Sequence, residues 1–167
     1  MRKRIAMPIL AGALLALAPV SSEQKGITIP VLRGYLDKMG LKYVPHPKSS
    51  SALVVTRSDN EHADRVDLYL EIRDDHTLVL MAYSKQQSGY FNMSRAAERE
   101  KTLQRLLEAN HRAFATFFVD NQGDIGSRFT FTTENGVGFE SFRVAAVELL
   151  RISDEYTPIL EQFMRKS

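Results

Sequence analysis

The stretch Val66–Ser84, VDLYLEIRDDHTLVLMAYS, decides how this chain folds. Val66, Leu68, Leu70 and Ile72 alternate with Asp67, Tyr69, Glu71 and Arg73, the two-residue period of a strand with one apolar face. Asp74-Asp75-His76 is turn-forming, and Thr77–Ser84 beyond it is apolar on both faces. The spacing predicts a β-hairpin whose second strand lies inside the sheet.

Outward toward the N-terminus, Ala52–Thr56 is a short β-type run. Leu41–Ser51, with Pro45, Pro47 and three serines, reads as a loop or a short edge segment. Before it, Ile29, Leu32, Leu36 and Met39 recur at helical spacing, with Thr28 as cap, Pro30 in the first turn and Gly40 at the end. On the other side, Lys85–Met93 is polar, contains Gly89 and reads as a loop. Ser94 is placed to cap a second helix running to about His111, with Ala97, Leu103, Leu106, Leu107 and Asn110 near one side. Phe114–Asp120 and Ile125–Thr133 read as strands joined by Asn121-Gln122-Gly123, with Ile125, Phe129 and Phe131 sharing a face. After a break at Asn135–Gly138, Phe142, Ala146, Leu149, Ser153, Tyr156, Leu160 and Phe163 form one helical stripe, which Pro158 bends or divides. The order is α-β-β-β-α-β-β-α, a single α+β domain over residues 25–167 with an antiparallel sheet packed by helices.

The first residues do not belong to that domain. Arg2, Lys3 and Arg4 precede an uncharged run from Ile5 to Val20, then small polar residues and the first acid, Glu23. This is the pattern of a secretory signal peptide over residues 1–24, and it predicts a periplasmic or secreted domain. Ala16-Leu17-Ala18 and Val20-Ser21-Ser22 are alternative cleavage sites. An uncleaved membrane anchor is the competing reading, although the run falls short of the roughly 20 residues that span a bilayer. Loss of the leader takes three of the 22 basic and one of the 20 acidic residues, so the mature domain is formally neutral. That balance argues against nucleic acid as a partner, which needs a concentrated basic face.

With 167 residues the chain is long enough for one real core, and with no cysteine it excludes a disulfide, a zinc–thiolate site and a thiol nucleophile. No pair among His46, His62, His76 and His111 has the spacing of two metal ligands on one helix. His62, Asp64 and Asp67 are close enough in sequence for a weak cation site, but a solvated loop entering a strand is the better reading. Asp74 and Asp75 are turn formers rather than an acid–base pair. No serine has the glycine-flanked setting of a nucleophile elbow. Gly136-Val137-Gly138 lacks the lysine and third glycine of a phosphate loop and reads as a helix-preceding break. Asn92-Met93-Ser94 matches the glycosylation pattern. The sequence names no catalytic residue, no metal ligand and no cofactor, and it points away from an enzyme.

The aromatic residues say more. Tyr69 opposes Leu68 and Leu70 across its strand, Met81 and Tyr83 oppose Leu80, and Phe118 opposes Phe117. If helices cover only one side of the sheet, Tyr69, Met81, Tyr83 and Phe118 form an apolar patch on the other. Such a patch marks a protein partner or a homodimer interface, and burial of these residues by the loops or the long helix is the equal alternative.

One resemblance extends this reading. Thr102–Asn110 (TLQRLLEAN), Ala115–Asp124 (ATFFVDNQGD), Phe139–Leu150 (FESFRVAAVELL) and Asp154–Leu160 (DEYTPIL) resemble the YbjN-like family, labelled bacterial sensory transduction regulators. In that family a helix ending in asparagine leads to a strand, an acidic-glycine turn and a second strand. A final helix then closes near an acidic-Tyr-x-Pro motif, here Glu155-Tyr156-Thr157-Pro158. The family is similar in fold to the class I type III secretion chaperones, which share the element order. The resemblance implies chaperone-like recognition of an extended partner segment, often by a homodimer. A periplasmic small-molecule or metal-ion binding domain is the alternative, with its ligand between sheet and long helix or at His62 and Asp64.

Overall fold

The computed structural model describes residues 26–87, 89–112 and 114–164. The expected leader lies outside the described residues. The chain forms α1 (Ile29–Lys38), β1 (Tyr43–Pro45), β2 (Ala52–Arg57), β3 (Arg65–Arg73), β4 (Thr77–Gln86) and β5 (Gly89–Tyr90). A single 3₁₀ turn (Met93–Arg95) precedes α2 (Arg99–Arg112), β6 (Thr116–Val119), β7 (Ile125–Thr132), α3 (Phe139–Glu155) and α4 (Thr157–Phe163). One seven-stranded sheet runs in the order β1-β2-β3-β4-β7-β6, with β5 paired to the end of β4. Every named strand pair is antiparallel. This is the expected α+β architecture, with two short strands added and the last helix divided.

The hairpin read from Val66–Ser84 is β3–β4, which pairs Leu68 with Ala82, Leu70 with Leu80 and Ile72 with Leu78. These residues face the helices. Leu53, Val55, Val66, Leu68, Leu70, Leu78, Leu80 and Ala82 are buried there with Leu32 and Leu36 of α1 and Phe142, Ala145, Ala146 and Leu149 of α3. Burial of such side chains contributes roughly 1.5–3 kcal/mol apiece for the larger ones. The helix α1 ends as expected: Gly40 has φ +68°, and the Leu41 N–H returns to the Leu36 carbonyl. At its start Thr28 occupies the cap position without a side-chain cap bond. The connection Asp74–His76 is tight, with His76 at φ +57° and Thr77 Oγ1 donating to Asp75 at 2.6 Å.

The structure corrects several sequence expectations. The segment called a loop after β4 continues that strand to Gln86 and returns as β5. Ser94 does not cap α2: it sits in the 3₁₀ turn, whose cap is Asn92, accepting from the Ser94 N–H at 2.8 Å. Ala97 is therefore outside the helix, where its N–H donates to the Phe163 carbonyl at 2.8 Å. The inward face of α2 is Thr102, Leu106 and Ala109, so Leu103 at 45% and Leu107 at 68% exposure lie off the face expected for them. Phe114 precedes β6 instead of opening it, and stacks on Phe129 at 4.6 Å. Tyr156 separates α3 from α4, because Pro158 has no N–H to carry the ladder onward but fits the first turn of a new helix.

Two polar contacts hold the periphery to this core. Asn110, at the end of α2, uses its side-chain amide on both backbone groups of Phe117. Nδ2 donates to the carbonyl at 3.1 Å and Oδ1 accepts from the N–H. The outer edge of β6 is thus paired by a side chain. Asp154 accepts the N–H groups of Glu61, His62 and Ala63 at 2.9, 2.9 and 2.7 Å, fastening the β2–β3 connection to α3. Burial acts to raise the Asp154 carboxyl, but these three donors outweigh it and hold the group below the usual carboxylate value.

Asn110→Ala leaves a half-buried strand edge unpaired and is expected to destabilise the fold by about 1–3 kcal/mol, read from urea melts. Asp154→Ala is expected to cost about 1–2 kcal/mol near neutral pH, with partial solvent exposure holding the figure down. Because the folded-state carboxyl is depressed, its contribution is complete above the unfolded value of 3.8 and disappears as pH falls through the lower folded value. The stability gap between wild type and variant should therefore close at acid pH, which melts across pH 2 to 7 would check.

Candidate functional site

Alternation places a second set of side chains on the face of the sheet that the helices leave open. The register sets Asp67 opposite Tyr83 and Tyr69 opposite Met81 on β3–β4, and Phe118 opposite Gly126 on β6–β7. All four residues expected to form a patch, Tyr69, Met81, Tyr83 and Phe118, lie on this face. Tyr83 is the hub: its ring stands edge-on to Tyr69 at 5.6 Å and 90°, and to Phe118 at 5.7 Å and 72°, with Tyr90 at 5.8 Å. Gly126 makes this possible, because a Cβ there would come within 2.9 Å of the Tyr83 ring and 3.0 Å of Phe118.

The expected flat apolar patch is instead a walled cavity of about 220 Å³. His46, Tyr69, Met81, Tyr83, Tyr90, Asp120, Gln122 and Asp124 line it. Tyr83 is only 8% exposed, since its neighbours close over it, while Tyr69, Met81 and Phe118 are half-buried. Beneath the rings lies Asp67, 2% exposed. It accepts from Thr56 Oγ1 at 2.7 Å, from the Arg65 guanidinium at 2.7 Å and from the Tyr90 hydroxyl, which is 3.3 Å from that of Tyr69. A buried carboxylate with one cation and two hydroxyl donors is satisfied. The Asp67 role suggested by sequence, in a cation site with His62 and Asp64, is replaced by this network. Among the described residues no group of three or more His, Asp or Glu is placed to hold a metal ion.

The far wall is the β6–β7 turn. Asp120 Oδ1 accepts the N–H groups of Gln122 and Asp124, both at 2.9 Å, and Oδ2 accepts the Tyr83 hydroxyl at 3.4 Å. Gly123 closes the turn with φ +86°. Asn92 braces it from outside, donating to the Gln122 carbonyl at 3.0 Å and to Asp124 at 2.7 Å. That engagement occupies the amide nitrogen that glycosylation would require. Burial first, then Asp120, pushes the Tyr83 phenol up; burial first, then the bond to Asp67, does the same for Tyr90. Both remain neutral donors at any physiological pH.

His46, Tyr90, Asp120, Gln122 and Asp124 escaped the sequence reading. Tyr90 fell in a stretch read as loop, and His46 reaches Tyr69 at 5.8 Å only because β1 pairs with β2. The alternation of β3 and β4 gave no hint of the turn residues. The space proposed for a ligand between sheet and long helix is open at one end, as a cleft of about 610 Å³ lined by Leu41, Val55 and Arg57 and by Val147 and Leu150 of α3. Deeper in, where Ser84 and Ser127 meet Ser153, there is a cavity of about 10 Å³, near the size of one water.

No protein-family model matches the chain, and no curated protein matches it by sequence. Solved structures do match in fold. YbjN from E. coli, described as a candidate transcription regulator, superposes with a TM-score of 0.57 at 18% identity, covering 84% of this chain and 97% of that one. The ExsC–ExsE complex gives 0.55 at 16% identity over 81% and 97%. The HopA1–SchA chaperone–effector complex gives 0.54 at 10% over 77% and 91%. The chain shares the fold of these proteins, and at such identities the likeness shows the fold alone.

Gly126→Ala forces a methyl against two packed rings and is expected to cost about 1–2 kcal/mol and to alter the near-ultraviolet circular dichroism of the tyrosines. An unchanged tyrosine spectrum would mean the rings do not lie over this glycine.

Proposed function

We propose that this protein is a non-enzymatic binding domain, exported from the cytoplasm, that recognises a segment of a partner protein on the open face of its sheet. Recognition is chaperone-like, and the chain is a distant relative of the YbjN-like regulators. The observation that carries this reading is the wall of Tyr69, Met81, Tyr83 and Phe118 on the side of the sheet that no helix among the described residues covers. Large half-buried rings offer contact area at little conformational cost, which is why such residues anchor protein interfaces. Two of the structural relatives are complexes, one named as a chaperone with its effector. The leader read from the sequence supports action in the periplasm or outside the cell, and a homodimer sharing this face is the other form such an interface takes.

A photoreactive amino acid in place of Met81 tests the assignment. In envelope extract it is expected to give discrete crosslinked protein adducts. The same probe at exposed Leu107 on α2 is the control. Equal labelling from both positions would reject the open face as the binding surface, and adducts of twice the chain mass would identify the homodimer.

A further inference from the structure

Resting on the reading above, we infer that the cavity on the open face is the seat of a single arginine side chain carried by the bound segment. Three features converge on that occupant. The first is charge: Asp120 and Asp124 line the cavity, and no lysine or arginine does. Among the described residues neither carboxylate has an ion-pair partner, whereas Asp67 beneath them is already paired with Arg65 at 2.7 Å. The hydrogen bonds these two carboxylates do accept come from neutral groups: two turn amides, the Asn92 amide and the Tyr83 hydroxyl. Among the described residues, their negative charge is therefore left without a cation.

The second feature is the wall. Tyr69, Tyr83 and Tyr90 present ring surface around the space, and ring faces attract cations. The chain's own cations use the rim in this way: Lys85 Nζ stands 5.7 Å from the Tyr90 centroid, and Arg128 lies 5.5 Å from that of Phe118. A guanidinium suits such a site better than an ammonium, because it stacks flat on a ring while its N–H fork meets carboxylates. The third feature is size. About 220 Å³ is below the roughly 300–1,000 Å³ of pockets that enclose a whole small molecule, and it matches one long side chain with its stem along Met81.

The test uses the full-length protein and two probes, acetyl-arginine amide and its neutral isostere acetyl-citrulline amide, followed by NMR of the tyrosine ring signals. The arginine probe is expected to saturate and to shift the signals of Tyr69, Tyr83 and Tyr90, with the citrulline probe at least about tenfold weaker. Asp120→Asn with Asp124→Asn, which keeps the carbonyl acceptors of the turn, is expected to weaken the arginine probe about fivefold or more with an unchanged melt. Tyr69→Leu should weaken it too. Equal affinity for the two probes, no response to either, or full affinity in the double Asp variant would overturn the arginine seat. Adducts from the Met81 photoprobe with no arginine response would reject this inference and keep the segment-binding reading. An arginine response with no adducts would do the reverse.

Discussion

Everything in this fold depends on the two-residue period of the β3–β4 hairpin. A strand of alternating composition can be placed in only one register without exchanging its faces, and a slip of one residue would turn Leu68, Leu70 and Leu80 to solvent while burying Asp67 and Glu71 under helices. With that register set, the helices have one surface to cover. The same alternation collects tyrosines on the other surface as a necessary by-product. Core and candidate site are thus two readouts of one pattern, and neither can be redesigned without the other.

The open face is not merely what the helices failed to cover. A carboxylate buried within it is costly unless fully paired, and Asp67 is paired by Arg65, Thr56 and Tyr90 together. This network holds the Tyr90 ring upright beside Tyr83, and the Tyr83 hydroxyl reaches the β6–β7 turn. The rings are therefore held from below and from the side. A wall braced in this way loses little freedom when something docks against it.

Much of this was legible in the sequence, and the boundary is physical. Alternation gave β3 and β4, the helical stripe from Phe142 to Phe163 gave α3 and α4, and opposing residues gave Tyr69, Met81, Tyr83 and Phe118 a common side. What escaped was set by contacts between distant segments. The start of α2 moved from Ser94 to Arg99 because Asn92 and the Phe163 carbonyl engage the preceding residues, which no local cap signal shows. Tyr90 became part of the site because two residues of β5 pair with β4, too short a strand for periodicity to register. Asp154, read as part of a motif, has its meaning only through three amides some 90 positions away.

The asparagine at the end of α2 has a consequence for how molecules of this protein behave in company. A sheet grows by offering unpaired amides and carbonyls along its outermost strand, and here one outer strand has them taken at Phe117 by Asn110. The opposite outer strand ends in Pro45, which has no amide to offer. Both routes to lateral polymerisation are therefore blunted by the chain itself. The aromatic surface thus lies on the flat of the sheet, while the margins, where sheets extend into one another, are kept inert.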